Sequence, residues 1–126
     1  MSEKQLLFVY GTLREGASNA WRVKEANRLG LADVEGILIK VDWYPGLILG
    51  NGGRVVGDVY EVGVELLHAL DAFEGIGGDQ CRGEYRRVKV EGLMDGETVE
   101  LWVYEWLKGV EGYEVIEGDW LKIQSG

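Results

Sequence analysis

Cysteine and histidine are almost missing from this sequence: Cys81 and His68 are the only examples in 126 residues. A single cysteine excludes an internal disulfide and makes the cytoplasm the default compartment. One Cys and one His also fall short of the nitrogen and sulfur ligands that zinc takes. The carboxylates show no calcium-loop spacing, which leaves only an all-carboxylate magnesium or calcium site open; the reading expects neither a metal nor a cofactor. Basic residues are scarce, 13 Lys and Arg against 22 Asp and Glu, for a net charge of −9. That balance argues against nucleic acid as a partner, since phosphate contacts need clustered cations. The local cluster Arg82, Arg86, Arg87 and Lys89 reads as a solvated strand face. Proline occurs once, at Pro45, beside 20 glycines, a pattern of tight turns and not of a disordered tail. Long apolar runs are absent too, so no segment spans a bilayer. The start, Met1-Ser2-Glu3-Lys4-Gln5, does not read as a signal peptide. What is present is 46% apolar residues, enough for one core in one domain over residues 1–126.

Along the chain, Leu6, Leu7, Phe8 and Val9 predict a buried strand over residues 5–10, ended by Gly11. Ser18 or Asn19 is placed to cap a short helix from Trp21 to near Gly30. A second strand follows over residues 34–41, then a turn at Trp43-Tyr44-Pro45-Gly46. Residues 47–49 read as a brief strand, Asn51-Gly52-Gly53 as a hairpin turn, and residues 54–61 as the returning strand. At Val64, Leu67, Leu70 and Phe73 the apolar period becomes three, which predicts a helix that Gly75 ends. A glycine-rich loop leads to strands over residues 85–91 and 98–106, joined by an Asp95-Gly96 turn. Tyr113, Val115, Ile116 and Trp120 are expected to lie back on the core. About six strands with two short flanking helices predict an α+β fold, built as a mixed sheet or partly closed barrel.

Two features carry possible chemistry. Glu74 falls at the predicted helix C-terminus, where partial negative charge disfavours a carboxylate. Phe73 and the loop beyond add desolvation, and both effects push a carboxyl pKa upward, toward useful proton exchange. The competing reading is a solvated helix-end glutamate, and Asp71, one turn earlier, is either a rival acid or a structural acceptor. In Tyr10-Gly11-Thr12-Leu13, a strand stops at glycine and turns, which exposes successive N–H groups suited to a carboxylate; an ordinary strand-to-loop turn has the same sequence. His68 has no Ser or Cys partner in view, and Cys81 has no inferable His. Gly75-Ile76-Gly77-Gly78 follows a helix and is no dinucleotide fingerprint.

Several blocks resemble the gamma-glutamylcyclotransferase-like family, which includes the gamma-glutamylamine cyclotransferases and avirulence-induced-gene-like proteins. They are Tyr10-Gly11-Thr12-Leu13-Arg14, Trp43-Tyr44-Pro45-Gly46, Gly57-Asp58-Val59-Tyr60 and Leu70-Asp71-Ala72-Phe73-Glu74-Gly75. Tyr85-Arg86-Arg87-Val88, Trp102-Val103-Tyr104 and Gly118-Asp119-Trp120 follow in the family's order. The resemblance implies a small mixed β-barrel with helices outside it. It implies Glu74 as general acid and base, and main-chain donors of Gly11, Thr12 and Leu13 as the grip on substrate. Tyr10, Tyr85 and Tyr104 are the implied cavity lining. The implied partner is a small gamma-glutamyl compound, converted to 5-oxoproline and a free amine without a cofactor. The loop over residues 76–84 is longer than in some relatives and bears on the leaving group. A non-catalytic binding module of the same fold, an enzyme removing another amide-linked gamma-glutamyl group, and a structural interaction protein are the competing readings.

Overall fold

The computed structural model describes residues 5–11, 13–14, 20–24, 26–41, 44–73 and 85–116. Six strands and one α-helix make up its regular structure: β1 (Gln5–Val9), β2 (Asn27–Lys40), β3 (Pro45–Val62), α1 (Val64–Phe73), β4 (Tyr85–Met94), β5 (Glu97–Trp106) and β6 (Glu114–Ile116). A single 3-10 turn, Ala20–Val23, precedes β2. The sheet order is β3-β1-β5-β4-β2-β6, and β3 also pairs with β2. β1 runs parallel to β5, with Leu7 opposite Trp102, and the other pairings are antiparallel. The sheet is therefore mixed, as the sequence predicts.

The apolar patterns follow from two cores, one on each face of this sheet. Leu7 and Val9 join Tyr60, Val62, Tyr104 and Trp106 under the helix, where Leu67 and Leu70 seal them. Phe8 and Tyr10 point the other way, with Val34, Val55, Val59, Leu101 and Val103. β1 is buried on both faces, which explains its unbroken apolar run. β3 and β5 likewise alternate between the cores at period two. The helix needs one stripe only, and Leu67 and Leu70 supply it. Burial of each is worth about 1.5–3 kcal/mol.

Three expectations change. The helix from Trp21 to Gly30 reduces to the turn Ala20–Val23, because Asn27, Arg28 and Leu31 already pair with Glu61, Tyr60 and Asp58 of β3. Ladder bonds to a neighbouring strand override weak local helix preference there. Second, Asn51-Gly52-Gly53 is not a hairpin turn. Gly36 pairs with Leu49 and Glu35 with Arg54, so one strand continues in one direction and the intervening residues bulge out. Gly50 and Gly52 hold φ of 87° and 76°, and the Gly52 N–H donates to Glu35 Oε2 at 3.3 Å. Positive φ serves a bulge as readily as a turn, so the same residues signal both. Third, Val115 is 56% exposed, while Tyr113 packs edge-on against Trp106 at 5.7 Å; Trp120 lies outside the described residues. The Asp95-Gly96 turn forms as expected, with both residues at positive φ between Met94 and Glu97. Trp43 lies outside the described residues, but its turn closes with Lys40 opposite Pro45 and the Val41 N–H bonded to the Tyr44 carbonyl.

Candidate active site

Parallel β1 and β5 finish at the same end of the sheet. β4 runs antiparallel to β5, so its first residue, Tyr85, stands opposite Trp106 at that end. The start of β3 folds over the same end. A Cβ placed on Gly11 would sit 2.6 Å from Pro45 Cγ, so glycine is what allows the turn after β1 to touch the β2–β3 turn. Gly11, Pro45, Tyr85 and Trp106 thus form one contiguous wall. The Tyr85 hydroxyl donates to the Pro45 carbonyl at 2.8 Å, and its ring meets Trp106 edge-on at 5.2 Å.

The turn leaving β1 is anchored twice. The Arg14 N–H donates to the Gly11 carbonyl at 3.0 Å. The Arg14 side chain, 4% exposed as a residue, reaches back to Asp58 of β3, where Nε donates to Oδ2 at 3.3 Å. Arg28 of β2 donates to the other carboxylate oxygen through Nη2 at 2.8 Å and Nε at 3.3 Å. Asp58 is 1% exposed, a buried charge held by two guanidinium groups. Leu13 is buried in the core under α1, so only its main chain is available to a ligand. Thr12 lies outside the described residues.

Across the wall, α1 ends against β4 and β5. Asp71 accepts Arg87 Nε on Oδ1 at 2.8 Å and Arg87 Nη2 on Oδ2 at 3.0 Å. The Tyr104 hydroxyl adds a third bond to Oδ1 at 2.8 Å. Of the two readings left open for Asp71, the geometry selects the structural acceptor: both oxygens are occupied. The Tyr104 carbonyl in turn accepts the Tyr10 hydroxyl at 2.6 Å. Tyr10, Tyr85 and Tyr104 each give the hydroxyl proton to a protein acceptor, but the Tyr10 ring packs in the core with Phe8 while Tyr85 and Tyr104 belong to the core under α1. Arg22 lies over the Phe73 ring at 3.9 Å and brings a cation to the helix end, where the sequence had suggested only partial negative charge. Glu74, the next residue in the chain, lies outside the described residues, as does Cys81.

The structure gathers Tyr10, Gly11, Leu13, Tyr85 and Tyr104 at one end of the sheet. It also reveals the Arg14–Asp58–Arg28 group, which the sequence reading missed. The available signal was an acidic residue within the mostly apolar run Val55-Val56-Gly57-Asp58-Val59-Tyr60, which demands a buried partner. The basic cluster is paired: Arg86 with Glu105, Arg87 with Asp71, and Lys89 with Glu100; Arg82 lies outside the described residues. His68 is exposed on α1. Among the described residues, no three His, Cys, Asp or Glu side chains converge as a metal site, and no helix is long and apolar enough to cross a membrane. A depression of about 440 Å³ lined by Leu31, Asp33, Val56, Leu93 and Asp95 lies at the Asp95-Gly96 end, away from the candidate residues.

Among the described residues, a mixed sheet is thus sealed by one α-helix, and a glycine turn closes the end of its first strand. The chain belongs to the family described as gamma-glutamyl cyclotransferase, AIG2-like, whose model matches residues 7–122. It is similar to the gamma-glutamylcyclotransferase family protein YtfP of Escherichia coli K12, at 33% identity over 117 residues covering 91% of this chain and 95% of that protein. It is 40% identical over 101 residues to gamma-L-glutamyl-butirosin B gamma-glutamyl cyclotransferase of Niallia circulans, covering 78% of this chain and 64% of that protein. Among solved structures, the AIG2-like protein of Mus musculus superposes with a TM-score of 0.77 at 25% identity, covering 92% of this chain and 88% of that one.

Proposed function

We propose that this protein cleaves a gamma-glutamyl amide into 5-oxoproline and a free amine, with Glu74 as the general acid and base. The substrate supplies its own nucleophile. Its α-amino group, with a reference pKa near 8, is mostly protonated at neutral pH and must lose a proton before it attacks. Glu74 accepts that proton. The α-nitrogen bonds to the γ-carbonyl carbon, the amide C–N bond breaks as Glu74 returns the proton to the departing amine, and the ring nitrogen gives up its second proton to solvent, leaving a neutral lactam and a neutral amine. Main-chain donors in the turn Gly11, Thr12 and Leu13 hold the α-carboxylate, so that the glutamyl chain is curled for ring closure. Good alignment of an intramolecular attack removes several kcal/mol of barrier, up to about 7–11 in the best cases. The rings of Tyr85 and Tyr104 line the cavity. The circuit of pairings from β3 through β1, β5, β4 and β2 back to β3 is read as a small barrel with this cavity at one mouth. The reaction needs no cofactor. With a net charge of −9, local donors must outweigh the global field to admit an anionic glutamyl group.

One observation carries the reading: Asp71, three residues before Glu74, is bonded to Tyr104 of the strand beside the Gly11 turn. That bond joins the last turn of α1 to β5, the strand paired with β1, and so supports reading the residue after α1 and the Gly11 turn as parts of one site. The test is incubation with glutathione, γ-glutamyl-alanine and ε-(γ-glutamyl)-lysine while 5-oxoproline is followed by mass spectrometry. Wild type is expected to release it from at least one compound. Glu74→Gln keeps size and removes proton exchange, and its rate is expected to fall at least about a hundredfold with folding retained. Undiminished turnover in that variant eliminates Glu74 from the role. Binding of these compounds with no product over hours selects a non-catalytic module. The likeness to the butirosin enzyme favours adding gamma-L-glutamyl-butirosin B to the panel, as a further leaving amine.

A further inference from the structure

We propose that Tyr104 and Asp71 are positioning residues that set the distance between the proton-transfer group and the turn that grips the substrate. The inference rests on the cyclotransferase reading above and assigns its geometry to particular bonds. Tyr104 is tied at both ends. Its hydroxyl donates to Asp71 of α1 at 2.8 Å, and its carbonyl accepts the hydroxyl of Tyr10 at 2.6 Å. Asp71 precedes Glu74 by three peptide units, so their Cα atoms lie within about 11 Å whatever backbone joins them. Tyr10 immediately precedes Gly11. One residue of β5 therefore joins the segment that leads to the acid and the segment that leads to the grip.

The direction of these bonds matters more than their number. Leu67 and Leu70 already pin α1 to the sheet by apolar burial, which is non-directional and leaves the helix free to slide or roll slightly. A carboxylate held by a guanidinium fork and a phenol is fixed in plane and in distance. The fork is itself held, since the Arg87 guanidinium lies 4.3 Å above the Trp102 ring. Trp102 is bonded through Nε1 to Gln5 of β1 at 2.9 Å. Sheltering a carboxylate is costly and unnecessary for merely attaching a helix, whereas it is suited to defining one register. Displacement of a reacting group by about 1 Å can cost about a hundredfold in rate.

The variants Tyr104→Phe and Arg87→Met each remove one arm of this brace. Tyr104→Phe deletes a single oxygen, and Arg87→Met keeps an apolar stem on Trp102. Each is compared with wild type on the best substrate of the panel, alone and combined with Glu74→Gln, with a melting curve as the folding check. We expect kcat to fall about tenfold in each single variant with KM within twofold. In the Glu74→Gln background neither change should lower the residual rate further, because the brace acts through that carboxyl. A merely structural role would lower both backgrounds equally, and a direct substrate contact would appear in KM; either result overturns the proposal. Unchanged kcat in both variants, beside an active wild type and an impaired Glu74→Gln, overturns it while leaving the function intact. A wild type that releases no 5-oxoproline defeats both.

Discussion

Replacing Asp58 by asparagine is the sharpest test of how the turn after β1 is held. The carboxylate is 1% exposed and accepts from Arg14 at 3.3 Å and from Arg28 at 2.8 and 3.3 Å. Asn keeps the volume but removes the charge and turns one acceptor into a donor facing a guanidinium. The two arms differ. The Arg14 side chain is 5% exposed, so its charge stays desolvated with its named counter-ion gone, and breaking such a buried pair costs about 3–5 kcal/mol. The Arg28 side chain is 35% exposed and rehydrates, so its arm adds no more than about 1 kcal/mol. The lower end of that range is the better figure, because Asn can still accept one bond; about 3 kcal/mol is expected. For a chain of this length that corresponds to a fall in Tm of about 10 °C. Urea denaturation followed by tryptophan fluorescence reads the loss as a lower midpoint at constant slope. The double variant Asp58→Leu with Arg14→Met removes both charges and should recover part of the loss. A loss under about 1 kcal/mol in Asp58→Asn would refute the view that this buried carboxylate holds the turn.

Two further substitutions probe the wall itself. Gly11→Ala would press a methyl to within 2.6 Å of Pro45 Cγ, and overpacking of this kind costs about 1–3 kcal/mol; the thermal melt should fall, and KM should rise as the turn shifts. Tyr85→Phe leaves the buried Pro45 carbonyl without its 2.8 Å donor, a loss of about 1–3 kcal/mol by urea titration. If the melt of Gly11→Ala matches wild type, the close approach to Pro45 is not a constraint. If Tyr85→Phe matches it, another donor serves that carbonyl.

The elements that local periodicity could reveal were the ones read correctly. Val64, Leu67, Leu70 and Phe73 mark α1 because one stripe faces a core, and the Asp95-Gly96 pair marks its turn because both residues need positive φ. Asn51-Gly52-Gly53 misled because a residue tolerant of positive φ does not say whether the chain reverses or only bulges; the partner strand decides, and Gly36 pairing with Leu49 is a long-range fact. The helix expected up to Gly30 failed for the same reason, since Asn27 and Arg28 find their partners in β3. For the site, Tyr10, Gly11, Tyr85 and Tyr104 were named from family blocks, and their convergence follows from β1 running parallel to β5. Asp71 was recognised as one of two carboxylates, but only its distances to Arg87 and Tyr104 separate the acceptor from the acid. Asp58 went unnoticed because its partners, Arg14 and Arg28, are distant in sequence.

The junction of β2 with β4 has its own consequence. Among the described residues these strands share one registered pair, Asp33 opposite Leu93, and the side chains of Leu93 itself and of nearby Leu31 are exposed. A joint with so few ladder bonds is the place where native-state breathing begins at low free energy. Amide hydrogen exchange should therefore be fastest, within the sheet, along the facing edges of that joint. The Tyr10–Tyr104–Asp71 brace lies at the other end of the molecule, so the sheet can flex there while the mouth keeps its shape.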